Sequence, residues 1–259
     1  MTLLQALFLG IIQGLTEFLP ISSSGHLTLL QRLFGFQNLE NYILFDVICH
    51  LGTLFAIVWV LYPELCRVIK EPKWQKALLL GTLPLFPLVF LMKPIKAVFD
   101  DPYYLGYCYL FSGLLLFLAG KCKRSEPLNR SSKRMHLDSI VIGLFQAVAV
   151  LPGISRSGST ISSARLLGIN AKDAAVFSFL LAIPAILGGV AFETLQIFKG
   201  APLADVTLSS YLIGFIAALV FGTVSLKVLM RLLVANRLNG FAIYCALLGV
   251  SLIFVFLNP

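Results

Sequence analysis

Six stretches of the chain, at residues 42–62, 77–98, 103–120, 172–197, 210–230 and 241–257, are apolar over lengths that cross, or nearly cross, about 30 Å of bilayer hydrocarbon. With 58% of its 259 residues hydrophobic and 12% charged, the chain has too little polar surface for an ordinary soluble domain. The sequence therefore predicts an all-α polytopic membrane protein. Two further apolar regions, 3–34 and 138–168, are interrupted midway by Pro, Gly and Ser. A straight spanning helix would have unpaired backbone groups there. Such breaks are tolerated where protein or a water-filled cavity covers them, so both regions are expected to be re-entrant helix-turn-helix hairpins.

The two breaks are related. Sliding the chain against itself by 133 positions superimposes Ile21 on Ile154, Ser22 on Ser155, Ser24 on Ser157 and Gly25 on Gly158, and also Gly10 on Gly143 and Gln13 on Gln146. Spans 42–62, 77–98 and 103–120 land close to the three later ones. One offset fits motif and hydropathy together, which predicts an internal duplication, residues 1–126 and 127–259, within a single membrane domain. Each half holds one hairpin and three crossings, and an odd number of crossings inverts the second half relative to the first. The connections 63–76, 121–137 and 227–237 are rich in Lys and Arg, whereas the alternate connections carry Glu40, Asp100, Asp101 and Asp205, with Lys199 against the trend. The basic connections belong in the cytoplasm, so both termini are expected outside it and the first hairpin is expected to enter from outside. Lys93 and Lys96 can snorkel from the end of the second span.

The net charge of +8 reflects this topology and forms no continuous stripe, so a nucleic-acid partner is not expected. The N-terminal residues lack the basic region of a signal peptide, and no removable leader is expected. Cys49, Cys66, Cys108, Cys122 and Cys245 have no paired metal-ligand spacing and are expected to be small apolar side chains rather than ligands or disulfides.

The breaks carry the chemistry. An ionised side chain at the bilayer centre costs roughly 2.5–3.5 kcal/mol on insertion scales, so Glu17 and Arg156 are functional candidates. Gln13 and Glu17 lie four apart on one helical face, and a carboxylate beside an amide oxygen offers hard ligands to Mg²⁺ or Ca²⁺. Ser23 and His26 are spaced for a nucleophile and a base, or for a nucleophilic imidazole assisted by a hydroxyl. A turn hydrogen bond would serve the same spacing. The offset replaces Ser23 by Arg156, Glu17 by Val150 and His26 by Ser159. One hairpin thus supplies acid, serine and imidazole, while the other supplies a guanidinium among the donors Ser155, Ser157, Gly158 and Thr160. That division suits an anionic phosphate gripped from one side and attacked from the other. Ser22 and Ser24 add hydroxyls to the first break. Asp46 and His50 could pair with each other or support the site, and Glu193 is expected near a membrane face.

The segments Gln13-Gly-Leu-Thr-Glu17-Phe-Leu-Pro-Ile-Ser-Ser23-Ser-Gly-His26 and Pro152-Gly-Ile-Ser-Arg156-Ser-Gly-Ser-Thr160 resemble the two signature motifs of the bacitracin-resistance family of undecaprenyl-diphosphate phosphatases. The likeness covers essentially the whole chain. It implies a multi-pass enzyme of the bacterial plasma (inner) membrane that hydrolyses the lipid diphosphate to undecaprenyl phosphate and inorganic phosphate. That reaction recycles the cell-wall lipid carrier and confers bacitracin resistance. The resemblance implies that Gln13 and Glu17 belong to the metal and catalytic motif, Ser23 and His26 to the nucleophilic region, and Arg156 with Ser155, Ser157 and Thr160 to the diphosphate grip. Ser23 is read as the nucleophile, with His26 handling the proton. The family pattern admits Glu or Gln at position 13, and Gln13 leaves this chain one motif carboxylate. Membrane lipid is an expected partner, and a homodimer is compatible with this reading. Inverted repeats with broken helices also describe secondary transporters, so a carrier or flippase of the lipid phosphate is the rival reading.

Overall fold

The structure, a computed structural model, describes residues 1–91, 102–123, 125–128, 131–235 and 237–257. Among these the chain is helical. The first hairpin pairs α1 (Leu3–Phe18) with α2 (Ser23–Leu33). A 3₁₀ turn (Leu39–Tyr42) leads into α3 (Ile43–Val60), α4 (Tyr62–Lys70) and α5 (Pro72–Thr82), and α5 continues as a 3₁₀ segment (Leu83–Phe90). Then follow α6 (Pro102–Gly120), the second hairpin of α7 (Ser132–Val148) and α8 (Arg156–Leu166), and three long helices, α9 (Ala171–Phe198), α10 (Leu208–Val234) and α11 (Asn239–Leu257).

Leu39–Val60, Ala171–Phe198, Leu208–Val234 and Asn239–Phe256 are each long and apolar enough to cross a membrane, and Tyr104–Gly120 is apolar but shorter. The outer surface carries exposed Trp59, Phe90, Phe198 and Phe254, as a lipid-facing wall does. The chain is an all-α polytopic membrane protein. The expected span 77–98 is not one α-helix. Pro84 and Pro87 cannot donate a backbone hydrogen bond, and the helix tightens to 3₁₀ geometry from Leu83. Its residues 92–98 lie outside the described residues. In the basic connection that holds α4 and the start of α5, Arg67 Nε donates to Glu71 at 2.8 Å and Lys73 pairs with the same carboxylate, which together hold the half-exposed Glu71 below the usual carboxylate range.

Both hairpins form as the sequence predicts. Pro20 stops α1, and Ser22 restarts the chain by accepting the Gly25 N–H as N-cap of α2. In the second hairpin, Gly153 turns the chain at φ +88° and Ser155 caps α8 by accepting the Gly158 N–H at 3.0 Å. Three of the five cysteines, Cys49, Cys108 and Cys245, are buried, and all five are free thiols.

The hairpins are held by helices from the opposite half of the chain. α1 packs on α10, α7 packs on α5, and α6 packs on α11. Gly10 lies against the backbone of Gly214, and Gly143 against that of Gly81. The tip of the first hairpin is fastened by Cys245 Sγ, which donates to Pro20 O at 3.6 Å, and the tip of the second by Ser112 Oγ, which donates to Gly153 O at 3.3 Å. Each of these pairs maps onto the other by the same offset: 10 to 143, 81 to 214, 20 to 153 and 112 to 245.

These close approaches give a test of the packing. A Cβ at Gly10 would stand 2.5 Å from Gly214 O, whereas among the described residues nothing lies within 4 Å of one at Gly240. Gly10→Leu is expected to cost about 1–3 kcal/mol, read as a lower thermal midpoint in detergent, with Gly240→Leu unchanged.

Candidate active site

The two tips meet. Helical spacing brings Gln13 and Glu17 onto one buried face of α1, where Gln13 Nε2 donates to Glu17 Oε2 at 3.1 Å. The same oxygen accepts from Ser23 Oγ at 2.6 Å, across the turn of the first hairpin. The other oxygen, Oε1, accepts from Arg156 Nη2 at 2.5 Å, across 139 residues of sequence. Glu17 is thus an acid held by the guanidinium of the opposite hairpin, as a charge in an apolar chain requires. The tips also touch through Ser157 Oγ, which donates to Leu19 O at 3.3 Å, and through Pro20 against Gly158.

Around this pair lies a cavity of about 270 Å³. Its polar wall is Glu17, Ser22, Ser23 and Ser24 from the first hairpin, Ser155 and Arg156 from the second, His50 from α3 and Glu193 from α9. Ser22, at φ +66°, is the non-glycine residue in the left-handed region among those described. A strained backbone at a cavity wall costs roughly 1–3 kcal/mol and persists where the surroundings over-determine it.

Not every expected residue faces the cavity. Ser157 is occupied with Leu19 O. Thr160 Oγ1 bonds Arg156 O and Ser178 Oγ, and the Gly158 N–H caps α8 on Ser155. Successive residues of a helix turn by about 100°, so only the first turn of α8 can present Ser155 and Arg156 together, and the donors beyond them pack against neighbouring elements. His26 also differs from expectation. Its Nδ1 lies 2.7 Å from Ser22 O, which can only accept, so Nδ1 carries a proton. Its Nε2 is 2.7 Å from Tyr244 Oη, and Tyr109 Oη closes on Nδ1 at 2.9 Å. The ring is drawn back toward the two tyrosines, and Ser23 donates to Glu17 instead of pairing with it.

Comparison with known proteins identifies the family. The family described as bacitracin resistance protein BacA matches residues 6–251. The chain belongs to this family. An undecaprenyl-diphosphatase of Protochlamydia amoebophila (strain UWE25) is 50% identical to it over 254 residues, covering 97% of each chain. Another of that name, from Carboxydothermus hydrogenoformans, is 40% identical over 96% of this chain and 95% of its own. A third, from Methanosphaera stadtmanae, is 34% identical over 96% of each.

Sequence reasoning missed Glu193 as a wall of the site, although a carboxylate inside a long apolar helix is itself a signal. It left His50 and Asp46 undecided. His50 Nδ1 donates to Asp46 O at 2.8 Å, and its Nε2 points to Glu17 Oε2 at 3.9 Å. The Asp46 carboxylate accepts from the buried Gln31 amide at 3.1 Å. His50 therefore borders the site, while Asp46 stands behind it, bonded to His50 through its backbone carbonyl and to Gln31 through its carboxylate.

The charge pair is testable through stability. Arg156→Met leaves the Glu17 carboxylate buried without its cation and is expected to destabilise by about 3–5 kcal/mol, measured as thermal midpoint in detergent. Adding Glu17→Gln to that variant is expected to recover most of the loss.

Proposed function

We propose that the protein hydrolyses undecaprenyl diphosphate to undecaprenyl phosphate and inorganic phosphate, recycling the cell-wall lipid carrier and conferring bacitracin resistance. The observation that carries this reading is Arg156. One guanidinium nitrogen, Nη2, holds Glu17, while the other, Nη1, is buried with no hydrogen-bond partner among the described residues. A planar fork with a free donor at a cavity wall suits a phosphate oxygen. The hydroxyls of Ser22, Ser24 and Ser155 add donors around it.

In this reading Ser23 is the nucleophile. Its Oγ–H already donates to Glu17 Oε2, so the carboxylate takes that proton as Oγ bonds the terminal phosphorus. The bridging P–O bond breaks and undecaprenyl phosphate leaves. Water then releases inorganic phosphate from Ser23, and Glu17 returns the proton to Oγ. Arg156 balances the charge that gathers on the equatorial oxygens. His26 acts as a positioning residue, because its Nδ1–H to Ser22 O holds the strained residue that sets Ser23.

A divalent cation, Mg²⁺ or Ca²⁺, fits the same place. Gln13 Oε1 is buried and has no partner among the described residues, and with Glu17 it makes a hard oxygen pair. No group of three His, Cys, Asp or Glu side chains suited to a metal occurs among the described residues, so substrate oxygens and water would complete the shell. When bound, such an ion would neutralise charge on the diphosphate. The proposal extends to the bacterial plasma membrane as the location, to inverted copies at residues 1–126 and 127–259, and to a first hairpin entering from outside. The swapped contacts of the tips and the basic connections support these points.

Purified protein in detergent, given undecaprenyl diphosphate, is expected to release phosphate, whereas tight binding without release would overturn the reading in favour of a carrier. Glu17→Gln is expected to abolish turnover even in excess Mg²⁺. Arg156→Lys, which keeps the charge and loses the fork, is expected to lower kcat/KM tenfold or more, about 1.4 kcal/mol of transition-state stabilisation.

A further inference from the structure

Beside the polar cavity lies a second one of about 250 Å³, between Leu85, Phe86 and Leu88 of the 3₁₀ segment and Gly188 and Phe192 of α9. The two share Val150, Ala185 and Gly189 in their linings, so they lie side by side. The second is apolar apart from Thr82.

The glycines on this wall are unlike those that join the helices. At Gly10, Gly52 or Gly143 a Cβ would collide with the backbone of another helix, which explains the missing side chain by packing. At Gly188 and Gly189 nothing among the described residues lies within 4 Å of one. Two adjacent glycines inside a helix are unfavourable relative to alanine, and at these two no neighbouring helix requires them. They leave an open strip along α9 that begins at the polar cavity and runs into the apolar groove. Val150 stands where the offset of 133 would place the counterpart of Glu17. The position that carries the acid in the first hairpin is therefore an apolar sill in the second.

We infer that this groove seats the prenyl chain of the lipid diphosphate, which leaves the phosphate site over Val150 and lies along Gly188–Gly189 against Phe86 and Phe192. The inference rests on the phosphatase reading above and adds to it the route of the tail. The diphosphate faces Arg156, and the hydrocarbon turns away from the charged pair onto a surface that offers it no unpaired polar group. The shared lining with the polar cavity selects this occupant over a bilayer lipid, since a lipid held only by the groove would have no use for a phosphate site against the same residues.

Gly188 borders the groove and not the polar cavity, so a large side chain there fills the route without touching the phosphate site. Gly188→Ala, Gly188→Leu and Gly188→Phe are to be compared for KM toward undecaprenyl diphosphate and for competitive inhibition by inorganic diphosphate, which has no tail. The expected result is a KM that rises with side-chain size, tenfold or more at Phe, while the inhibition constant of inorganic diphosphate stays within twofold of wild type. The unchanged inhibition constant shows that the variant is folded. An unchanged KM across the series overturns the inference, and so does an inhibition constant that rises in step with KM; in both cases wild-type turnover leaves the phosphatase reading standing. If wild type itself releases no phosphate, that reading falls first and the inference falls with it.

Discussion

A carboxylate and a guanidinium from opposite halves of the chain bond each other inside apolar surroundings, and most of the architecture is arranged to make that bond available. Neither Glu17 nor Arg156 could remain charged at that depth alone. Paired, they neutralise each other and leave one donor of the guanidinium without a partner. The pair thus solves a solvation problem, and in the proposed function the unpartnered Nη1 donor is the one that an incoming phosphate oxygen accepts from.

The position of that bond is set by broken helices and small residues. Pro20 and Gly153 stand in the turns between broken helices, where Ser22 and Ser155 cap the next ones and where the carbonyls of the turn find Cys245 and Ser112. Glycines let α1 and α7 lie backbone to backbone against α10 and α5, which sets how closely each hairpin packs on its partner helix. Small changes in helix separation would move Glu17 relative to Arg156 by distances comparable to a hydrogen bond.

Much of this was legible in the sequence because it follows from local rules with few competitors. Pro, Gly and Ser in the middle of an apolar run can be read as a break, and the offset of 133 links the two breaks without any structure. The residues that escaped reading depend on rotation about a helix axis or on distant partners. Ser157 and Thr160 belong to the right motif and lie on the wrong faces of α8. His26 is three residues from Ser23, a spacing that allows a contact, but Tyr109 and Tyr244 claim its ring from 83 and 218 residues away. Glu193 is expected near a membrane face from its place late in an apolar run, and hydropathy does not tell that the same place lines the cavity. The span at 77–98 was read from hydropathy, which does not weigh the two prolines that tighten it.

The fastening of Pro20 by Cys245 has a consequence for biogenesis. The partner of that carbonyl lies 225 residues downstream, on α11. As the chain enters the bilayer from its N-terminus, the elbow bearing the acid and the serine is made first, and its latch arrives after every other helix described here. Until then the nascent protein carries its reactive groups without their final alignment, so competence to act on lipid begins only when the fold is closed.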